Sequence, residues 1–317
     1  VARYVLRRLA QALGVWWAAY TATFVLLEVL PGDPVSAMAG AGLSSAPAAP
    51  EQLAALRTEY GFDRPVVLQY LDYLGHAVRG QFGNSVATGQ PVTKVIAAAL
   101  PNTLQLTSAA LILAVLFGGG LAVAATYPRQ RLLREALLSL PSLGVSLPSF
   151  WIGVMLVQLL SFRVHLFPAF GDDGPLSLAL PAITLALPAG ALVAQVLAKS
   201  LRSTMTAPYV LTATAKGAAR PHVHLRHVLP NALLPVLTVV GLLAGQLLAS
   251  SVVVETVFAR NGLGRITAGA VNVRDIPVVQ GVVVLSALVV VLVNLVVDLA
   301  FPLIDRRILL TGGKEFR

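Results

Sequence analysis

The sequence predicts an all-α integral membrane protein with six transmembrane helices, and three observations support this. First, 56% of the 317 residues are apolar and only 12% are charged, with a mean hydropathy of +0.79; a soluble domain carries about 25% charged residues. Second, apolar runs of roughly 20 residues recur along the chain, the length an α-helix needs to cross a bilayer. Third, basic residues gather in alternate segments between those runs, the bias expected of a chain that crosses several times. Inside hydrocarbon every backbone N–H and C=O must find a partner within the protein, which favours helices over isolated strands.

Arg3, Arg7 and Arg8 precede the first run, from about Leu9 to Leu30. Ala37-Met38-Ala39 has the form of a signal-peptide cleavage site. The run is nevertheless longer than a signal peptide's apolar region of about 7–15 residues, and Pro31-Gly32-Asp33-Pro34 separates the two. An uncleaved first span is expected. Residues 31–100 are richer in proline and acids, with a helix-like stretch from Glu51 to Tyr60 that Pro50 opens and Gly61 stops. They predict a small ordered extracytoplasmic segment.

The second span is expected from about Thr103 to Tyr127, where Gly118-Gly119-Gly120 permits a bend or a close helix contact. The third covers roughly Ala136–Phe162 and contains Pro141 and Pro148; the fourth runs from about Ser177 to Ala198. The fifth, about Ala232–Val254, carries Gly241, Gly245 and Ala249 as a small-residue ridge suited to close packing, within this chain or against another. A loop at 255–277 leads to the sixth span, about Val278–Ile304, and a basic tail over 305–317. The division is thus 1–30, 31–100, 101–304 and the tail.

Charge tests the topology. With both ends cytoplasmic, the inner segments hold Arg3, Arg7 and Arg8, three arginines at 129–134, five basic residues in the central loop and four in the tail, 15 of 23 in all. The outer segments hold the other eight, with nine acids among them: Asp33, Glu51, Glu59, Asp63, Asp72, Asp172, Asp173, Glu255 and Asp275. That bias places Ser200–Pro230 and both termini in the cytoplasm. It also accounts for the net charge of +9 without a nucleic-acid partner. The absence of cysteine excludes disulfides and thiolate metal sites.

Ser200–Pro230 is a polar, basic stretch between two apolar runs. Pro208 suits the first turn of a helix, Thr206 could cap it, and Gly217 is placed to end it. Pro221 could open a second short helix that Pro230 closes or kinks. Thr212, Ala213, Thr214, Ala215 and Ala218 give the first helix a face of small side chains, able to approach a partner's groove closely. By composition alone the stretch could equally be an ordinary inter-span loop.

Catalytic motifs are missing. There is no G-x-x-x-x-G-K-[ST] phosphate loop, and Gly312-Gly313-Lys314 lacks its spacing, so no ATP site is expected in this chain. His222, His224 and His227 lie close together, but in a basic loop without acid or thiolate they read as a partner-binding face rather than a metal site. No G-x-S-x-G elbow suggests a nucleophile. Within the spans the candidate polar groups are Glu28, Gln195, Gln246, Asn294 and Asp298, with Gln158 beside them; Asn294 and Asp298 share one helix face. Their expected role is a cap or interhelical bond. A proton-driven carrier, the rival reading, would be expected to show more such groups.

Gly217, nine residues, His227, one residue and Leu229-Pro230 resemble the EAA loop of ABC-transporter permeases. Leu211-Thr212-Ala213 stands where Glu-Ala-Ala is usual, and His227 stands for an apolar residue. Such departures fit the dipeptide, oligopeptide and nickel branch. The resemblance extends through Leu30-Pro31-Gly32-Asp33-Pro34, Tyr60-Gly61-Phe62-Asp63-Arg64-Pro65, Gly80-Gln81-Phe82-Gly83-Asn84-Ser85 and Leu147-Pro148-Ser149-Phe150-Trp151-Ile152-Gly153. It continues in Glu255-Thr256-Val257-Phe258, Gly262-Leu263-Gly264-Arg265, Arg274-Asp275 and Pro277-Val278-Val279-Gln280-Gly281. Asn261, where proline is common, and Arg306 after Asp305 are departures.

The resemblance implies a type I ABC importer permease fold in the bacterial inner membrane, with no cofactor or catalytic residue of its own. It further implies a second permease as heterodimeric partner, two cytoplasmic ATPase subunits that bind ATP and magnesium, and an extracytoplasmic solute-binding protein. The ATPase-coupling residues carried over are Leu211, Thr212, Ala213, Thr214, Ala215, Lys216, Gly217, Ala218, Arg226, His227, Leu229 and Pro230. Glu255, Phe258, Gly262 and Gly264 are expected to face the binding protein, together with 31–100. Dipeptides or oligopeptides are the expected cargo, with nickel chelates, haem or glutathione as alternatives.

Overall fold

The computed structural model describes residues 2–29, 64–128, 130–273 and 275–304, and among them the regular structure is helical apart from one isolated bridge, Asn84 to Pro91. In chain order the longer helices are α1 (Ala2–Val29), α2 (Val66–Val78), α3 (Val92–Thr126), α4 (Arg131–Ser146), α5 (Ser149–Leu156) and α6 (Ala179–Thr204). There follow α7 (Pro208–Ala215), α8 (Arg220–His222), α9 (Leu229–Ala232), α10 (Leu234–Val257), α11 (Leu263–Asn272) and α12 (Ile276–Ile304). Five spans among the described residues are long and apolar enough to cross a membrane, lying in α1, α3, α6 with the turn before it, α10 and α12. The expected helix at Glu51–Tyr60 and the basic tail lie outside the described residues.

The third span departs from its expected form. Instead of one helix over 136–162, α4 and α5, the latter extended by a π-helical segment Val157–Arg163, are bent by 100°. The cause is local. A residue preceding proline is pushed out of the helical region, and Leu147 before Pro148 is extended at φ −88°, ψ 129°. Pro141 leaves α4 unbroken. The second span also starts earlier than expected, at Val92, and continues past Pro101.

The chain forms two compact units. One comprises Val1–Thr103 with Asn261–Leu292, the other Leu104–Arg260 with Val293–Arg317. In the first, an aromatic cluster joins α1 to α2: Tyr20 lies 5.4 Å from Tyr70, ring centre to centre, and Phe24 meets Tyr70 edge-on at 5.3 Å. The Tyr20 hydroxyl donates to the Tyr70 carbonyl at 3.1 Å, which satisfies its polar end. A second cluster packs Val92, Ile96 and Ala99 of α3 against Leu263 of α11 and Val278 and Val282 of α12. Gly281 permits that approach, since a Cβ there would stand 2.7 Å from Val92 Cγ1. Buried Asp275 accepts from Ser85 Oγ at 2.5 Å and from the backbone N–H of Val278 at 3.4 Å, tying the 85–90 loop to the start of α12.

In the second unit α6 is the most enclosed helix, buried on several faces through alanine, glycine, leucine and valine. Its partners come close because the contacts are small. A Cβ on Gly118 of α3 would lie 2.2 Å from the Gly190 carbonyl oxygen, and one on Gly144 of α4 would lie 2.8 Å from Ala191 Cβ. Of the three glycines at 118–120, only Gly118 makes such a contact; the other two face open space. Of the expected ridge on α10, Gly241 is buried, Gly245 half-buried and Ala249 exposed. Gly118→Ala is therefore expected to separate α3 from α6 and destabilise the protein by about 1–3 kcal/mol. The same change at Gly119 should be nearly silent. Thermal unfolding of the two purified variants checks this.

Candidate functional site

The 200–230 stretch folds as a short helical hairpin whose ends follow from the sequence. Pro208 occupies the first turn of α7, where its missing N–H is no loss. The residue preceding it, Ala207, is the N-cap and supplies no side-chain bond. Thr206 does not cap α7 as expected, because its hydroxyl donates backwards to the Ser203 carbonyl at 2.7 Å, completing the end of α6. Gly217 does end the helix, with φ at +82°. The Ala218 N–H reaches the Ala213 carbonyl at 3.2 Å and the Gly217 N–H reaches Thr214 at 3.0 Å. This is the Schellman arrangement, which needs a left-handed residue at that position.

Val210 is buried and Ala213 packs against the same core. Leu211, Thr212, Thr214, Ala215, Lys216 and Gly217 face outward, Leu211 at 65% exposure. Arg226 and Pro230 are also exposed, whereas Ala218, His227 and Leu229 are half-buried. No acid occurs between Ser200 and Pro230. The result is an outward surface of small and apolar side chains with a basic border, held from behind by Val210 and Ala213 in α7 and by Val223 and Val228 after it.

Pro230 does not close the second helix. A proline inside a helix removes one hydrogen bond and crowds the carbonyl four residues earlier. Here the helix widens into a π-helical segment, Val223–Val228, just ahead of the proline. The Asn231 side-chain amide donates to the His227 carbonyl at 2.9 Å. Helical dihedrals continue through Leu233, at φ −73° and ψ −21°, into α10.

Two residues fasten the hairpin to the end of α3. Arg220 donates to the Tyr127 carbonyl at 2.6 Å and lies over the Tyr127 ring at 5.1 Å. A cation at a helix C-terminus is favoured by the helix dipole, and over an aromatic face by its quadrupole. His224 is 1% exposed, meets the Tyr127 ring edge-on at 5.9 Å and places Nε2 3.4 Å from the Thr126 hydroxyl. His222 and His227 face each other at 5.4 Å instead. No group of three metal-ligating side chains occurs among the described residues. In the sequence alone Arg220 is one more loop charge and His224 one of three histidines on a partner-binding face; the signal for their anchoring role is Tyr127 directly after the apolar run.

The residues expected to face a binding protein are placed otherwise. Glu255 and Phe258 are 0% and 1% exposed, and Gly262 and Gly264 are buried as well. Phe258 packs in the core of the second unit, and the exposed positions nearby are Asn261 and Arg265. Hydropathy did not separate the groups, since a buried glycine and a surface glycine look alike in sequence. A buried ion pair went unread: Arg260, 3% exposed, reaches Asp172 at 3.5 Å and donates to the Ser177 carbonyl at 3.2 Å. Among the candidate intramembrane groups, Gln195 and Gln246 are exposed on the surface of the chain. Glu28, Asn294 and Asp298 fall within α1 and α12, but their side chains lie outside the described residues.

Burial holds the His224 imidazole below its ordinary value of 6.5, and the Arg220 charge pushes the same way. A base depressed in the fold stays neutral while the released hairpin takes up a proton. The stabilisation is thus fully present above 6.5 and is lost as pH falls below it. Amide protection factors over 220–228, taken relative to the intrinsic exchange rate at each pH, should fall between pH 7 and pH 5, and His224→Asn should flatten that dependence. A flat profile in the unaltered protein would count against the buried imidazole as its cause.

Comparison with known proteins gives a consistent picture. Residues 114–310 match the family model described as binding-protein-dependent transport system inner membrane component, and residues 1–107 match its N-terminal companion. The glutathione transport system permease protein GsiC of Salmonella typhimurium is 38% identical over 307 residues, covering 95% of this chain and 97% of its own. Among solved structures, the inward-facing MetNI methionine ABC transporter superposes with a TM-score of 0.55 at 19% identity, over 67% of this chain and 97% of that one. An amino acid ABC transporter solved with histidines superposes at 0.50 and 18% identity, over 68% and 94%. At those identities the structures speak for the fold alone.

Proposed function

This chain belongs to the binding-protein-dependent transport system inner membrane components, and we propose that its 200–230 hairpin is the surface through which ATP-driven motion enters the membrane. It is a multi-pass permease subunit of an ABC importer and not itself an enzyme. ATPase subunits and a binding protein complete such a system. In the proposed arrangement two ATPases grip this chain and a second permease from the cytoplasm, where both termini also lie. The two permeases form the pathway between them, and the 31–100 segment stands outside. The cargo is a dipeptide or short oligopeptide; the similarity to a permease for glutathione, itself a tripeptide, supports that class.

One observation carries the reading: α7 projects Leu211, Thr212, Thr214 and Ala215 outward while Val210 anchors it from beneath. Small side chains let a docking helix seat deeply, and the basic border suits an acidic groove. Closure of the ATPase pair on ATP then moves the hairpin, and the spans switch between two discrete arrangements. The charge distribution supports the cytoplasmic placement, with five basic residues and no acid between Lys199 and Arg226.

Gly217→Val tests the coupling. A Cβ there meets nothing within 4 Å, so the effect comes from the left-handed backbone and not from a clash. That conformation costs a residue other than glycine about 1–2 kcal/mol, enough to redirect the chain after α7. The variant should insert and assemble yet hydrolyse ATP without uptake; normal uptake would sink the assignment. A companion binding protein that co-purifies with a non-peptide ligand would overturn the peptide reading alone.

A further inference from the structure

Two clefts on the second unit run into one another and differ in chemistry along their length. The first, about 370 Å³, is walled by Leu121 and Ala125 of α3, Leu137 and Pro141 of α4, and Gln195, Lys199 and Arg202 of α6. The second, about 380 Å³, shares Leu121 and Pro141 with it and continues along Leu143, Trp151, Met155 and Leu187. Apart from backbone, its lining offers no hydrogen-bonding group except the Trp151 indole. The glycines that draw α3 and α4 onto α6, Gly118, Gly144 and Gly190, form its floor. One groove thus has a basic mouth and an apolar length.

The charged residues at the mouth, Lys199 and Arg202, are both cationic. Gln195, Lys199 and Arg202 stand at i, i+4 and i+7, on one face of α6. Arg134 lies one turn before Leu137 and Leu138, on the same side of α4. The neighbouring Arg131 is engaged by Glu135 at 2.7 Å. No carboxylate lines either cleft.

The dimensions fit one molecule class. From Ala186 to Arg202 the α6 wall is about 24 Å long at 1.5 Å per residue. One leaflet, headgroup included, is about 20–22 Å deep. Phe117, Leu143 and Trp151 remain 56%, 64% and 45% exposed in this chain, so the apolar end is open to a long hydrocarbon. A protein interface would instead bring an uncharged centre, since lysine is depleted in such cores.

We propose that this groove holds one anionic phospholipid of the cytoplasmic leaflet. Its phosphate lies between Lys199 and Arg202, and an acyl chain follows Leu143 and Met155 beneath the α4–α5 bend. The choice of leaflet rests on the topology proposed above. The lipid fills the concave side of that bend and holds α4 against α6.

The test uses the assembled transporter, exposed in detergent to equimolar phosphatidylglycerol and phosphatidylcholine, with retained lipid counted by native mass spectrometry. One phosphatidylglycerol per chain should persist where phosphatidylcholine is lost, and inorganic phosphate should not displace it. Each cation at a lipid surface is worth about fivefold in affinity, so Lys199→Gln with Arg202→Gln should weaken retention about 30-fold. Leu143→Trp, which narrows the apolar end at an exposed position and leaves the charges intact, should weaken it too. Equal retention of both lipids, or retention untouched by the double variant, overturns the proposal. So does a photo-crosslink from position 143 to the second permease in place of lipid. Counting is restricted to complexes whose ATPase responds to the binding protein, so loss of lipid there refutes the groove and leaves the coupling reading standing.

Discussion

The contact between Gly118 and Gly190 sets the geometry of the second unit. A side chain at position 118 would stand 2.2 Å from a carbonyl oxygen, a distance no real Cβ tolerates. Two helix backbones therefore touch without intervening side chains, and dispersion between closely packed atoms replaces the hydrophobic drive that lipid cannot supply. The same economy recurs where Gly144 meets Ala191 and where Gly153 admits Phe258 and Thr184. A helix surrounded by such contacts has little freedom to translate, and α6 is held from several sides at once.

That rigidity fixes the hairpin at its root. α6 delivers the chain into α7 within a few residues, and the end of α3 receives Arg220 and His224. The outward face of α7 is consequently presented by two anchored helices, although α7 itself has only eight residues and buries one of them. A helix so short would not persist alone in water. Its order is tertiary in origin. Its boundaries, set by Pro208 and Gly217, are intrinsic to the sequence.

What could be read from the sequence followed from chemistry that acts locally. Proline at N1, glycine with positive φ, and apolar length each leave a mark within a few positions, and the spans and the end of α7 were accordingly visible. The bend at Leu147–Pro148 was less so, because hydropathy continues unbroken across it and Pro141, close by, bends nothing. Burial of Glu255 and of the Arg260–Asp172 pair depends on partners more than eighty positions distant in the second case, for which no local pattern exists. Gly153 and Gly281 belonged to recognisable motifs, but the reason for them, a facing phenylalanine and a facing valine, emerges only once the helices are assembled.

The π-helical segment ahead of Pro230 bears on how movement would travel. From Arg220 to Val257 the chain contains no extended residue, only helix of changing pitch and one turn at Leu233. Under the proposed coupling, a push at the basic tip would be delivered along a single strut to the far end of α10, with no extended loop to absorb it. The wider turns at 223–228 and the single turn at Leu233 are the two departures from α-helix along that strut, so rotation and thrust at the tip need not arrive together.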